Sequence, residues 1–593
     1  MRWVLVCLFL LVLCPVALAQ SGTIKLLALS ENPDGSTSGT VASLSLELRP
    51  GTERVFLETI PLTRVATQIS MRFAQQIACK EYDVECGDKD FVYTIVAQPG
   101  LVGGPSAGAA AAVLSASLLK GIPVRDDIAI TGTINSGGVI GPVGGVKEKI
   151  EAAHEQGITT VLVPKGTRVF GKSNVSLDLQ EGGRMNNVSV KEVATLDEAL
   201  YAFTGVNVSR PLPPFVIDEA YQNRMRAVMQ LMCKRTHALR NATTAFEDEN
   251  AITRELADAA RNNTARASQL SKNEAYYSAA SYCFRANINL NRLGTVHYNE
   301  SRKKVADRIR NAFFTIAKLQ NETESRELRT LTDLQTFMSV EERILEAADM
   351  LVDASDAITD DLDEAQGIVS FAEERVASAK SWSAFFGLPG EAIIINQDTL
   401  RESCLSKLSE AEERFSYVRT FFPDALEETR RTLDRAHQDA QNVSYALCLG
   451  MASKAKAEAD VVLSVTGFEP DQVKDLLALK LSVAQRVLAQ AQRHGAFPLV
   501  GYNYYQYAND LKDEDEYSAL LFAEYAIELS NLDIYFEKPR PWYAPFSELK
   551  EVSVGTLLLL SLGSAVLGMA VMLVLMRVQK GGRRKSRSAK TRT

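Results

Sequence analysis

From Val554 to Met576 the chain carries no charged side chain, a run of about the ~20 residues that a helix needs to cross the hydrocarbon core of a bilayer. Directly after it come Arg577, Lys580, Arg583, Arg584, Lys585, Arg587, Lys590 and Arg592, with no acid among them. Such a basic tail (577–593) stays on the cytoplasmic side and holds the preceding chain outside. By itself the tail would also suit a nucleic-acid arm. Its position beside a membrane span points instead to stop-transfer and contact with anionic lipid.

The other end agrees. Arg2, an apolar run from Trp3 to Leu13, Pro15 and the small-residue triplet Ala17-Leu18-Ala19 have the layout of a secretory signal over residues 1–19. An uncleaved anchor would give the same topology, with Gln20 onward outside the cell membrane. Removing the eight tail cations and Arg2 from the formal charge of −8 leaves about −17 on the exported part, where nothing suggests a nucleic-acid partner. The mature cysteines, Cys79, Cys86, Cys233, Cys283, Cys404 and Cys448, form an even set without a C-x-x-C pair. They suit an oxidising compartment, and local pairing 79–86, 233–283, 404–448 is the expectation. Asn174, Asn187, Asn207, Asn241, Asn262, Asn299, Asn321 and Asn442 each open an N-x-S/T sequon in the exported part.

Between the ends the pattern changes once. Residues 20–205 mix alternating segments (Thr23–Leu27, Val41–Leu48, Phe91–Val96) with helical ones (Leu62–Ala78, the alanine-rich run after Pro105, Val146–Gln156), which predicts an α/β domain. Asp127–Ile134 and Val139–Ile140 flank Asn135-Ser136-Gly137-Gly138 as a hairpin. A linker, 206–216, contains Pro211-Leu212-Pro213-Pro214. Residues 217–545 then read as successive amphipathic helices, with breaks near Gly294, Gly387–Gly390, Pro423, Gly467–Pro470 and Gly495–Pro498. No fixed period emerges, so a solenoid of hairpins and an irregular bundle both fit. The tyrosines from Tyr502 to Tyr535 are expected to pack between the last helices.

Gly104-Pro105-Ser106-Ala107-Gly108 fits G-x-S-x-G, the pattern that sets a serine on a sharp turn in α/β-hydrolases. A hydrolase triad needs a histidine in the same body, yet this half has only His154, and His237, His297, His437 and His494 fall among the helices. A serine paired with a lysine needs no histidine, provided the lysine can lose its proton. Lys147 opens a helix after Gly144-Gly145, where the helix dipole and burial would both lower its pKa. Gly166–Ser173 satisfies the P-loop pattern after a strand. A P-loop leads straight into a helix whose N-terminus holds phosphate, whereas Asn174–Gly183 carries a sequon, alternation and glycines. No cofactor and no metal is therefore expected.

Gly104–Gly108, then Asp127-Ile128-Ala129-Ile130-Thr131-Gly132, then Gly141-Pro142-Val143-Gly144-Gly145-Val146-Lys147-Glu148-Lys149-Ile150-Glu151-Ala152-Ala153, then Thr160–Lys165, resemble in order and spacing the proteolytic domain of Lon peptidases. More weakly, the likeness reaches Gly39-Thr40-Val41 and Leu196–Leu200, covering about residues 21–205. It implies Ser106 as nucleophile, Lys147 as general base and Thr131 as the hydroxyl that orients the lysine amine. Two positions depart from the family's pattern: Gly103 and Thr133 stand where many members carry an acid. The ATP-driven module that usually accompanies such a domain is replaced here by helices, and the chain resembles the Lon-like serine proteases of archaea. The expectation is an ATP-independent, membrane-anchored serine endopeptidase acting on unfolded or unstructured exported polypeptides, with homo-oligomers possible. An inactive peptidase fold on a helical receptor or scaffold is the alternative.

Overall fold

The computed structural model describes residues 20–539 apart from 32–36, 61, 98–103, 168–183, 186, 209–213, 299, 466–467, 469–471, 494 and 496, together with 568, 569 and 572. The signal segment, the P-loop-like segment after Thr167 and nearly all of the 554–576 run lie outside the described residues. No described helix is long and apolar enough to cross a membrane. Residues up to Glu537 form one compact unit and Lys538–Thr593 a second.

In the first unit, β1 (Gln20–Glu31), β2 (Thr37–Pro50), β3 (Val55–Ile60) and β4 (Lys89–Val96) are joined by β5 (Ile128–Ile130), β8 (Thr160–Pro164), β9 (Arg184–Met185) and β10 (Val188–Val193). They make one mixed sheet in the order β3-β4-β2-β1-β5-β8-β10-β9. The run β1-β5-β8-β10 is parallel. Strand side chains alternate between faces, and the sequence uses this. Leu26, Ile130 and Leu162 enter a core with helices α1 (Val65–Glu81), α2 (Gly108–Lys120) and α4 (Leu196–Thr204). Leu27, Ala129, Val161 and Val163 enter a second core with helix α3 (Val146–Glu155). Ser106 and the lysines of α3 are thus carried on opposite faces of one sheet.

The predicted strand over 127–134 is interrupted. β5 belongs to the large sheet, whereas β6 (Thr133–Ile134) pairs only with β7 (Ile140–Gly141), around a single 3-10 turn at Ser136–Gly138. The interruption falls at Thr131-Gly132 because the Gly132 backbone is engaged elsewhere. Its N–H donates to Ser106 O (3.2 Å) and its carbonyl accepts from Ala109 N–H (3.1 Å).

The helical half contains α5 (Glu219–Thr243), α6 (Ala251–Lys272), α7 (Tyr276–Tyr298), α8 (Arg302–Glu324), α9 (Leu331–Ala357), α10 (Leu362–Trp382), α11 (Gln397–Arg419), α12 (Glu427–Gln441), α13 (Tyr445–Val465), α14 (Val473–Arg493), α15 (Leu499–Leu511) and α16 (Glu516–Leu529). Neighbours pack as hairpins, but α15 returns to α7, where Arg285 donates to the Tyr507 hydroxyl (2.7 Å) and Tyr277 meets the Tyr507 ring edge-on. This is an irregular closed array rather than an open solenoid. Gly294 lies within α7 and does not break it. The expected breaks at Gly387–Gly390, Pro423 and Gly495–Pro498 fall between helices, and further breaks are marked by polar N-caps, among them Asp218, Asn250, Ser301, Thr330 and Asp361. Tyr502 packs on Tyr221 and Phe497 as expected of a core tyrosine. All three expected disulfides are formed, Cys79–Cys86, Cys233–Cys283 and Cys404–Cys448, the last two tying α5 to α7 and α11 to α13.

The proline-rich linker does not mark a gap in packing. The helices lie directly on the α/β half, through Lys80–Asp533, Arg486–Asp197 and Arg493–Asp83 ion pairs.

Candidate active site

Pro105, Ser106 and Ala107 form a 3-10 turn that runs into α2, and Gly104 before it has φ +132°, a conformation open only to glycine. Pro105 starts the turn because its ring presets φ and it has no N–H to leave unpaired. Helix α2 is buried along Gly108–Ser117 and ends at Gly121, which is left-handed. Ser106 is half-buried, and its carbonyl is tied to Gly132 N–H, so the serine turn is locked to the end of β5.

On the other face, the left-handed Gly145 (φ +64°) precedes α3. Val146, Lys149, Ile150 and Ala153 are the buried residues at i, i+3, i+4 and i+7, the inward stripe of a helix. Lys149 is 2% exposed and its Nζ donates to Thr131 Oγ1 at 3.1 Å. Thr131 is itself fully buried, with its N–H on Leu162 O of β8 (3.1 Å). Burial pushes the Lys149 ammonium down to about 7, against a smaller upward pull from Glu148, because an apolar surround disfavours the charged form.

Lys147 does not occupy this position. It is solvent-exposed on the outer face of α3, two residues and so about 200° around the helix from Lys149. The expected assignment of Lys147 is corrected accordingly: the lysine that meets Thr131 is Lys149. The signal was present in the sequence, since Lys149 interrupts the apolar stripe Val146, Ile150, Ala153, whereas Lys147 lies off it.

Ser106 and Lys149 therefore converge from opposite faces on Thr131-Gly132, at the C-terminal end of a parallel strand, where open α/β sheets place their sites. Among the described residues no hydrogen bond joins Ser106 Oγ to Lys149 Nζ; the amine rests on Thr131. Of the two departures from the family's acids, Gly103 lies outside the described residues. Thr133 is fully buried with no hydrogen-bond partner for its Oγ1 among the described residues. It lines a cavity of about 20 Å³, enough for one water, with Pro105, Ile69, Phe73 and, from the helical half, Glu413 and Arg414. Sequence reasoning missed Glu413, whose carboxyl burial pushes up to about 7 against the pull of Arg414.

Residues 83–200 match the family model of the Lon protease (S16) C-terminal proteolytic domain. The chain is 46% identical over 99 residues to a Lon protease of Haemophilus influenzae, covering 16% of this chain and 11% of that one. It is 34% identical over 144 residues to a Lon protease of Fervidobacterium nodosum, covering 24% and 17%. A Lon protease of Methanosphaera stadtmanae gives 36% over 110 residues, 18% and 13%. The chain thus spans less than a fifth of the length of these relatives. Together with the serine turn and the buried lysine, these matches define the class: the α/β half is a Lon-type peptidase domain, of the serine type.

Proposed function

We propose that this protein is a membrane-anchored, ATP-independent serine endopeptidase that cleaves unfolded or unstructured polypeptides outside the membrane, with Ser106 as nucleophile and Lys149 as general base. The observation that carries the reading is the buried Lys149 amine on Thr131 Oγ1, with no acid hydrogen-bonded to it among the described residues. An amine with a pKa near 7 is neutral often enough to accept a proton, and its conjugate acid is strong enough to return it.

In the first step Ser106 Oγ attacks the peptide carbonyl carbon as its proton passes to Lys149 Nζ. The resulting oxyanion is met by the Ser106 N–H, in the first turn of its helix, where N–H groups lack intrahelical partners. Collapse breaks the C–N bond, and the Lys149 ammonium protonates the leaving amine. Water then attacks the acyl-enzyme ester, giving its proton to Lys149, and Ser106 recovers its hydrogen as the acid leaves. Thr131 keeps the amine aimed throughout by accepting one of its hydrogens.

Anchoring rests on the Val554–Met576 run and the basic tail. The export reading is supported by the three disulfides and by the exposure of Asn187, Asn207, Asn241, Asn262, Asn321 and Asn442, which begin sequons. The alternative, an inactive domain on a helical scaffold, is favoured by one observation, that the Lys149 amine is bonded to Thr131 and not to Ser106. Turnover of casein by the purified full chain separates the two. The expected result is activity without ATP that is lost in Ser106→Ala and in Lys149→Ala but kept in Lys147→Ala. Activity that survives Ser106→Ala would sink the peptidase reading.

A further inference from the structure

Thr131 and Lys149 are joined by the segment Gly132–Glu148, and that segment has little structure of its own. Strands β6 and β7 are two residues each, the turn between them holds Gly137 and Gly138, both at φ +66°, and Gly144-Gly145 leads into α3 with Gly145 also left-handed. Such a glycine-rich segment needs external contacts to adopt one shape. The contacts come from the helical half. Arg414 Nη2 donates to Asn135 Oδ1 (2.8 Å, buried). One helical turn further along α11, the Tyr417 hydroxyl accepts from Gly144 N–H (3.0 Å), and Phe421 stands against Gly144 where a Cβ would sit. Arg486 donates to Gly137 O, Asn531 to Ser136 Oγ (3.4 Å), and Val139 is buried among Val483, Val487 and Ile527.

We infer that Arg414 and Tyr417 are positioning residues: one face of α11 grips the segment at Asn135 and Gly144 and so sets the Lys149 amine against the serine turn. The placement of the contacts is what points to this. Asn135 follows Thr131 by four residues and Gly144 precedes Lys149 by five, so the two grips bracket the segment at its ends. Arg414 is itself held by Asp460, and Tyr417 is largely buried with Phe421 edge-on to its ring, so both arrive on a stiff support. The helices thereby complete the site, a role beyond substrate capture or docking.

The inference rests on the dyad reading above, and its test has one arm that does not. In the full-length protein, Tyr417→Phe deletes only the hydroxyl at Gly144, and Asn135→Ala deletes the acceptor for Arg414, which Asn135→Asp restores. The first arm is hydrogen–deuterium exchange. Faster exchange across 132–145 in Tyr417→Phe and Asn135→Ala, with the remainder of the chain unchanged, supports the grip whether or not the protein turns over substrate. Unchanged exchange in Tyr417→Phe overturns it. The second arm is kinetics on an unstructured peptide at pH 9. Each deletion should lower kcat about tenfold or more with KM within about twofold, as small misplacements of a reacting group do, and Asn135→Asp should recover kcat. Wild-type kcat in both deletions overturns the inference, as does a loss confined to KM. Should Asn135→Ala unfold, Tyr417→Phe decides alone. Turnover persisting in Ser106→Ala, with the exchange result intact, would fault the dyad and not the grip.

Discussion

Both halves of the molecule bury lysines, and they treat them in opposite ways. In the helical half, Lys407 and Lys456 are 1% and 2% exposed, and acids surround them: Lys407 pairs with Glu528 and Glu410, Lys456 with Asp460 and Glu528. Burial works to discharge Lys456, but Asp460 and Glu528 outweigh it and hold the ammonium above its usual range. Between them the two lysines keep Glu528 ionised and hold its carboxyl well down despite burial. In the α/β half, Lys149 is equally buried, yet among the described residues its one hydrogen-bond partner is the neutral hydroxyl of Thr131, and its pKa falls to about 7. Burial alone does not make a lysine a base. Burial without a counter-ion does, and the three carboxylates Asp460, Glu524 and Glu528, which approach one another closely enough to suggest a cation site, sit among lysines that serve packing rather than chemistry.

The comparison breaks first in the kinetics. On the proposed dyad Lys149→Met should lower kcat/KM about 10³-fold or more, while Lys407→Met, provided it folds, should leave kcat/KM within about threefold. Thr131→Val, which removes the acceptor but keeps the shape, should cost about ten- to a hundredfold in kcat. Steady-state assays with one peptide on all three decide this. The next largest effect is on stability. Lys456→Met strands Asp460 and Glu528 with one fewer cation, which should destabilise the folded chain by about 3–5 kcal/mol, read from urea unfolding. A smaller loss there than in Lys149→Met would reverse the contrast.

Much of this was legible in the sequence, and the failures have physical causes. The α/β order, the serine turn after Pro105 and the helix ending at Gly121 follow from local chemistry that acts within a few residues, and all three disulfides join cysteines that are consecutive in the mature chain. Lys147 draws attention because it stands nearer the helix start, but near a helix start the decisive quantity is the face, and only Lys149 falls in phase with Val146, Ile150 and Ala153. The strand expected through Thr131-Gly132 is split because the Gly132 backbone groups bond to a segment more than twenty residues earlier, a long-range pairing that leaves no mark in the alternation. In the second half Gly387–Gly390, Pro423 and Gly495–Pro498 do fall between helices and only Gly294 does not, whereas the starts at Asn250, Thr330 and Asp361 are supplied by side-chain caps. The contacts of Arg414 and Tyr417 with the segment before Lys149 span more than two hundred residues of chain, and periodicity cannot report them.

The smallest effect is also the most diagnostic, because its sign depends on pH. Lys149 titrates near 7 when folded and near its usual 10.5 when unfolded. Below pH 7 both states hold the proton, and the folded chain bears the whole cost of an unpaired buried charge. Between pH 7 and 10.5 the unfolded chain holds a proton that the folded one does not, so the contribution of Lys149 to stability improves as pH rises, and above that window the cost is gone. Replacing the lysine with methionine should therefore stabilise the protein by on the order of 2–4 kcal/mol at pH 6, the lost bond to Thr131 being set against the relieved charge, with the gain shrinking toward pH 10. The same titration should appear in the wild-type rate, kcat/KM rising through pH 7 as the amine becomes free to accept a proton. Urea unfolding of wild type and Lys149→Met at pH 6 and pH 10 measures the first; a gain that grows with pH, or a variant less stable than wild type at pH 6, would mean that Lys149 is charged and compensated in the fold, as Lys456 is, and the distinction between the two halves would fall.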